Sequence, residues 1–196
     1  MSKQKVLDTA FELFSRDGYT ETTLKSIAVA VGIKAPSIYA HFPNKEELYL
    51  EVYRQSQVEY GEFFEQFAHA GADRSPAERL HQILFGIGEF YLSRPALFAF
   101  HLRHLVATPT EIQGVVSGAF ITAEERLRDL IHDAYTTGCA DGSFAPGNAD
   151  DFCNFFLCLM DGVFLQMRHY DAETFMARLN SVWSQVITFL NPVPAS

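Results

Sequence analysis

Ala28 and Gly32 stand four residues apart in a stretch where apolar residues recur at helical spacing. A small residue four positions before a glycine lets two helices cross closely at a tight turn. The glycine can take the positive φ that such a turn needs. Ile27, Val31, Ile33, Ile38 and Phe42 then point inward, while Lys34, Ala35, Ser37, Tyr39, Ala40 and His41 stay outside on the helix after the turn. This is the arrangement of a recognition helix entering a DNA major groove by its N-terminal end. The chemistry on offer is charge and hydrogen bonding against a polyanion. Bond-making chemistry has little to work with, because the chain carries no P-loop, Gly-rich dinucleotide turn, HExxH or GxSxG. Its carboxylates read mostly as solvated helix faces. His101 and His104 share a helix face, but a metal would need further ligands from Cys153, Cys158, His132 or Asp161. Three cysteines without a CxxC pair argue against a disulfide framework or a zinc site. No catalytic residue, cofactor or metal is expected.

The elements that must position these residues are helical throughout. Val6, Leu7, Ala10, Phe11, Leu13 and Phe14 form one apolar face of a first helix that ends at Asp17-Gly18. Thr22 and Thr23 are capping candidates for a second, with Leu24, Ile27, Ala28 and Val31 inward. A third helix begins near Ala35-Pro36 and runs to about Phe42. Asn44 caps a long fourth, Lys45 to about Ala68. Ser75-Pro76-Ala77-Glu78 starts a fifth that runs to about Ser93, and Arg94-Pro95 breaks it before a sixth that reaches about Val106. A seventh follows Thr108-Pro109 and ends near Gly138. Two more span about 149–169 and 171–190. Strand signals are weak, so the fold class is all-α with about nine helices: an N-terminal three-helix unit over 1–48, a helical domain over 49–190, and a tail at 191–196 expected to be disordered.

Charge follows the same division. The 196 residues carry a net charge of −9, yet all five lysines lie in the first 45 residues, and residues 1–48 are net neutral. A diffuse basic coat is excluded; a local basic face on an otherwise acidic chain is not. The apolar window from Phe152 to Met167 falls short of the ~20 residues of a membrane span, and the start lacks the apolar stretch of a signal peptide. No membrane partner is expected, and a cytoplasmic location is.

Residues 6–48, VLDTAFELFSRDGYTETTLKSIAVAVGIKAPSIYAHFPNKEEL, resemble the N-terminal DNA-binding domain of the TetR family of bacterial transcriptional regulators. The likeness runs through A-x-ELF-x-x-x-GY, TT-x-x-x-IA-x-x-x-GI and S-x-Y-x-HF-x-x-KEEL. It implies that Thr23, at the head of the second helix, meets a phosphate, as suits a helix N-terminus. Tyr39, His41 and Lys45 match positions that contact the DNA backbone, setting affinity and register. Lys34, Ala35 and Ser37 occupy the base-facing first turn. Lys34 suits guanine O6/N7, Ser37 several bases, and Ala35 a thymine methyl. Lys34 departs from the polar N-cap of many relatives. Lys25 is a further candidate contact, although a solvated lysine is the simpler account of it.

The remainder resembles the family's ligand-binding and dimerisation domain only in helix number and length. Paired recognition helices about one DNA turn apart, ~34–36 Å, require a dimer. The family places that surface on the last two helices. Here these carry apolar residues on more than one face: Phe152, Phe155, Leu159 and Val163, then Phe175, Leu179, Val182, Trp183 and Val186. An aromatic surplus in the middle helices suggests an apolar effector pocket, lined by Phe63, Phe67, Phe90, Tyr91, Phe98, Phe120, Phe156 and Met160, with His101, His104 and Glu124 as polar members. The expected function is a homodimeric repressor that binds a palindromic double-stranded operator and is released by a small hydrophobic effector, helix four being the lever. The rival readings are a helical protein-interaction module without DNA binding and, less well supported, an all-α enzyme.

Overall fold

The computed structural model describes residues 2–70 and 73–191, without the side chains of 67–70 and 105–107. The described residues form nine helices and no strand. They are α1 (Lys3–Glu21), α2 (Leu24–Val31), α3 (Pro36–Tyr39), α4 (Lys45–Ala70), α5 (Pro76–Leu92), α6 (Pro95–Ala107), α7 (Gln113–Asp141), α8 (Ala149–Gln166) and α9 (Ala172–Leu190). No single helix among them is long and apolar enough to cross a membrane. The segment 192–196, where a disordered tail is expected, lies outside the described residues.

Local capping explains most of the boundaries. Thr23 Oγ1 accepts from the Ser26 amide and the Thr23 amide donates to Ser26 Oγ in return, a capping box that starts α2. Asn44 Oδ1 accepts from the Glu47 amide at 2.7 Å at the head of α4. Ser75 and Glu78 form a second capping box, with proline in the first turn of α5. Asn148 and Asp171 cap α8 and α9. Two boundaries differ from the sequence expectation. Gly18 takes φ 86° and breaks α1, but three further residues continue beyond it. The third helix is regular only over four residues; bonds from the His41 and Phe42 amides to the Ile38 carbonyl carry the turn onward.

The chain forms two compact units. The first holds the residues up to Glu62 together with Arg94–Thr122, and the second holds Phe63–Ser93 and the chain from Ala123 onward. This division does not fall at residue 48. The first part of α4 and all of α6 belong with the N-terminal helices because they supply that unit's core. Val6, Ala10, Phe14, Ile27, Ala28, Ile38, Phe42, Leu48, Tyr49 and Phe100 form one buried cluster. Phe14 meets Tyr49 edge-on at 4.7 Å between ring centroids, and Phe11 lies 5.4 Å from Phe100.

The second unit has its own core. Phe156, Phe175 and Leu179 are fully buried. Tyr135 stacks on Phe152 at 4.4 Å, and Phe63 lies 4.4 Å from Phe90. Four positions expected at a dimer surface, Phe152, Phe175, Leu179 and Val186, are buried inside this monomer core instead. The apolar excess on α8 and α9 was real, but their own unit uses the inner faces of both helices.

Candidate nucleic-acid interface

α2 and α3 are joined by a left-handed glycine. Gly32 sits at φ 80°, ψ 37°. The Ile33 amide donates to the Ala28 carbonyl at 2.9 Å, and the Gly32 amide donates to the Val29 carbonyl at 3.1 Å. The two bonds close the end of α2 as a Schellman-type cap and turn the chain into α3. Ile27 and Ile38 are completely buried on either side of this turn, so both helices are locked to the core by one isoleucine each.

What α3 leaves outside is the candidate interface. Lys34, Ser37, Tyr39 and His41 are exposed, and Tyr39 is 57% accessible despite its size. Lys25 and Lys34 make no ion pair among the described residues. Ala35 differs from expectation: it is half-buried and packs against the core cluster, so Lys34 and Ser37 are the exposed pair of the first turn. Ala35 is also the N-cap of α3 and offers no side-chain bond there. The departure noted at Lys34 thus corresponds to a helix start without a side-chain cap.

The two remaining positions are already engaged. Thr23 is exposed, but its amide donates to Ser26 Oγ at 3.0 Å and its hydroxyl oxygen accepts from the Ser26 amide at 3.0 Å. Lys45 Nζ donates to the Tyr19 carbonyl at 2.8 Å and lies 4.1 Å from the centre of the Tyr19 ring. Burial lowers the Lys45 pKa, with Glu111 and Glu21 opposing the shift. Its charge therefore acts from a held position at the end of α1.

The residues named for an effector pocket fall in both units. Phe98, His101, His104 and Phe120 are in the first; Phe63, Phe90, Tyr91, Glu124, Phe156 and Met160 are in the second. The Phe67 side chain lies outside the described residues. In the second unit the ring of Phe90 links Phe63 and Tyr91, while Phe156 is fully buried. Phe120 is 44% exposed. The histidines have specific partners. His104 Nδ1 donates to the Phe100 carbonyl at 2.7 Å, so Nε2 is the acceptor for the Tyr49 hydroxyl at 2.8 Å. His101 Nε2 pairs with Ser56 Oγ at 3.0 Å. Burial pushes the His101 pKa down to about 3 and that of His104 down to about 4. Both are neutral near pH 7. No group of three or more metal-ligating side chains occurs among the described residues. An open groove of about 470 Å³ runs along α5, lined by Arg74, Glu78, His81, Phe85 and Glu89 among others.

Of the remaining dimer candidates, Leu159, Val163, Val182 and Trp183 are half-buried, and Trp183 meets the edge of His81 at 5.1 Å. Phe155 is 45% exposed and lies 5.7 Å from Phe189, which is 65% exposed. Arg103 was missed altogether. Its guanidinium donates to the carbonyls of Ser15 and Arg16, a long-range contact that leaves no local pattern in sequence.

With this geometry established, the likeness to known proteins has a physical counterpart. Residues 6–52 match the profile of bacterial regulatory proteins of the tetR family. The chain is 29% identical over 166 residues, 84% of its own length and 83% of the relative's, to the biofilm operon icaADBC HTH-type negative transcriptional regulator IcaR of Staphylococcus aureus (strain Newman). Among solved structures it superposes on a TetR transcription regulator from Haloarcula marismortui with a TM-score of 0.76, 16% identity, and 96% and 97% of the two chains covered. It also superposes on the transcriptional regulator FadR from Bacillus subtilis in complex with stearoyl-CoA, with a TM-score of 0.72, 17% identity, and 97% and 100% covered. The matched segment contains the capped α2, the left-handed Gly32 and the exposed face of α3 described above, so the likeness to the tetR family falls on the helix-turn-helix itself.

Proposed function

We propose that this regulator is a ligand-responsive repressor that binds a palindromic operator as a homodimer and leaves it when a small hydrophobic molecule binds. The observation that carries the DNA reading is the face of α3: Lys34, Ser37, Tyr39 and His41 are exposed together after a left-handed turn whose inner side is fully buried. Lys34 and Ser37 read bases, while Tyr39, His41, Thr23, Lys45 and Lys25 hold the sugar-phosphate backbone. Thr23 does so after giving up its bond with Ser26, and Lys45 uses the donors that its bond to the Tyr19 carbonyl leaves over. DNA binding belongs to 1–48, and effector binding and dimerisation belong to 49–190. The exposed pair Phe155–Phe189, with half-buried Leu159, Val163, Val182 and Trp183 nearby in sequence, supplies the apolar surface for a second copy. Repression is favoured by the negative regulator among the relatives, and a hydrophobic effector by the stearoyl-CoA complex of FadR. Effector and operator are linked by population shift: the effector must bind better to a conformer whose recognition helices are wrongly spaced. The protein works in the cytoplasm, where its DNA is.

The test is selection from a random duplex library with purified protein at about 0.15 M salt, near the physiological ionic strength at which screening is set. A two-fold symmetric motif is expected. Recovery of no motif by protein refolded free of ligand refutes DNA binding and favours the protein-interaction reading.

A further inference from the structure

The end of α1 is held by two cations from other elements of its own unit. Arg103, on α6, donates from Nε to the Ser15 carbonyl at 3.2 Å and from Nη2 to the Arg16 carbonyl at 2.6 Å. Lys45, at the head of α4, holds the Tyr19 carbonyl. Between them Gly18 breaks the helix at φ 86°, and a Cβ built on it would lie 3.1 Å from Arg103 Nη1. The guanidinium therefore lies beside a residue whose backbone angle favours glycine and where a Cβ would be a tight fit. Carbonyls at the last turn of a helix carry the negative end of its dipole, and a planar fork of donors suits two of them at once.

α1 is the element that joins α6 to the helix-turn-helix. It packs on α6 and on α2, and α2 packs on α3. In the chain α6 follows α5 after only Ser93 and Arg94. We infer that Arg103 is a positioning residue for DNA binding: its fork on Ser15 and Arg16 fixes α1 against α6 and thereby sets the pose of the recognition turn. Arg103 touches no base or phosphate in this role. The inference rests on the DNA-binding reading above and adds a residue outside the matched DNA-binding segment.

Arg103→Gln and Arg103→Lys are compared with the unchanged full-length protein on the duplex recovered by selection, over a range of salt concentrations. Arg103→Gln is expected to lower affinity about tenfold, the scale of one charge-assisted bond. The slope of log affinity against log salt should stay unchanged, because no phosphate contact is lost. Arg103→Lys should fall nearly as far, since an ammonium cannot span two carbonyls as a fork. Amide exchange over residues 17–22 should speed up in both. A slope reduced by about one would make Arg103 a phosphate ligand and overturn the inference. Affinity within twofold of the unchanged protein, or full recovery by lysine, would overturn it as well. Should Arg103→Gln fail to fold, Gly18→Ala attacks the same joint from the other side and is read in the same way. If the unchanged protein selects no duplex, the DNA-binding reading fails and this inference falls with it. If it does select one, only the variants decide.

Discussion

The recognition turn is the least regular helix of the molecule, and one side chain anchors it. α3 is regular for four residues and starts without a side-chain cap. A helix that short has no stability of its own. Ile38 is its one buried side chain, and it is completely enclosed. Ile38→Ala deletes three carbons, worth about 2.4 kcal/mol at ~0.8 per methylene. A residual cavity adds about 1 kcal/mol, and the total of about 3 lies inside the measured range for such deletions. Against a typical domain stability of about 5–15 kcal/mol the variant remains folded at 25 °C. Urea unfolding followed by circular dichroism should show the loss in the midpoint without a change in slope. Affinity for the selected duplex should fall by more than the tenfold expected of one lost contact, because the whole turn loses its anchor. Ser37→Ala is the control: exposed, it should shift stability by less than about 0.5 kcal/mol while still weakening binding. An Ile38→Ala protein that loses under about 1 kcal/mol and keeps its affinity would refute the argument that burial of this residue positions the recognition face.

Three other outcomes follow from the geometry. Lys34→Ala should lower affinity and relax the sequence preference at the base pair it reads, whereas Tyr39→Ala should weaken binding to all sequences about equally; an unchanged selected motif for Lys34→Ala removes it from the base-reading set. Phe155→Arg combined with Phe189→Arg should leave the monomer core intact, since both rings are exposed, and should yield monomers in sedimentation with loss of operator binding; dimers that persist would place the interface elsewhere. His101 and His104 are held neutral with pKa values of about 3 and 4, below the ordinary 6.5, so the unfolded chain binds more protons between those values. Their contribution to stability is present above pH 6.5 and is lost as pH falls toward 4, on the order of a few kcal/mol in total. His101→Phe should flatten the decline of thermal midpoint between pH 6.5 and 4, and an unaltered profile would show that other groups govern it.

Sequence carried the capping chemistry of this fold well because caps are local. Thr23, Asn44, Ser75 and Gly32 each announce a boundary through a side chain or a φ angle that acts within four residues. The same locality explains why the exposed face of α3 was legible: once Gly32 fixes the turn and Ile38 must be buried, the direction of Ser37, Tyr39 and His41 follows from helical spacing. Ala35 escaped this logic because a methyl group costs little on either side of a surface, so packing rather than pattern decided it. Phe11–Phe100 and the fork of Arg103 depend on where α6 returns, and no spacing within α1 or α6 encodes that.

Apolar abundance proved to be a weaker guide than apolar placement. An excess on α8 and α9 predicts that something covers both faces of these helices, but not which face meets the helix's own unit. The monomer takes Phe152, Phe175, Leu179 and Val186, and leaves Phe155 and Phe189 outside. The aromatic surplus behaves similarly. Phe90 joins a ring cluster in the second unit, whereas His101 and His104, chosen as polar lining for the same pocket, complete bonds with Ser56 and Tyr49 in the first. A buried histidine with both ring nitrogens occupied has no lone pair or proton left for an effector unless an existing bond breaks. If a ligand does reach His104, it must displace the Tyr49 hydroxyl. That ring packs on Phe14 and Tyr19 of α1. Effector binding at that position would therefore be coupled to the helix that Arg103 holds. Binding confined to the Phe63, Phe90 and Tyr91 cluster would reach α1 along α4, which carries both Phe63 and Tyr49, or through the short Ser93–Arg94 connection into α6, without touching the Tyr49 hydroxyl. Replacing Tyr49 with phenylalanine separates these routes: release of the operator by effector is altered in the first case and preserved in the second.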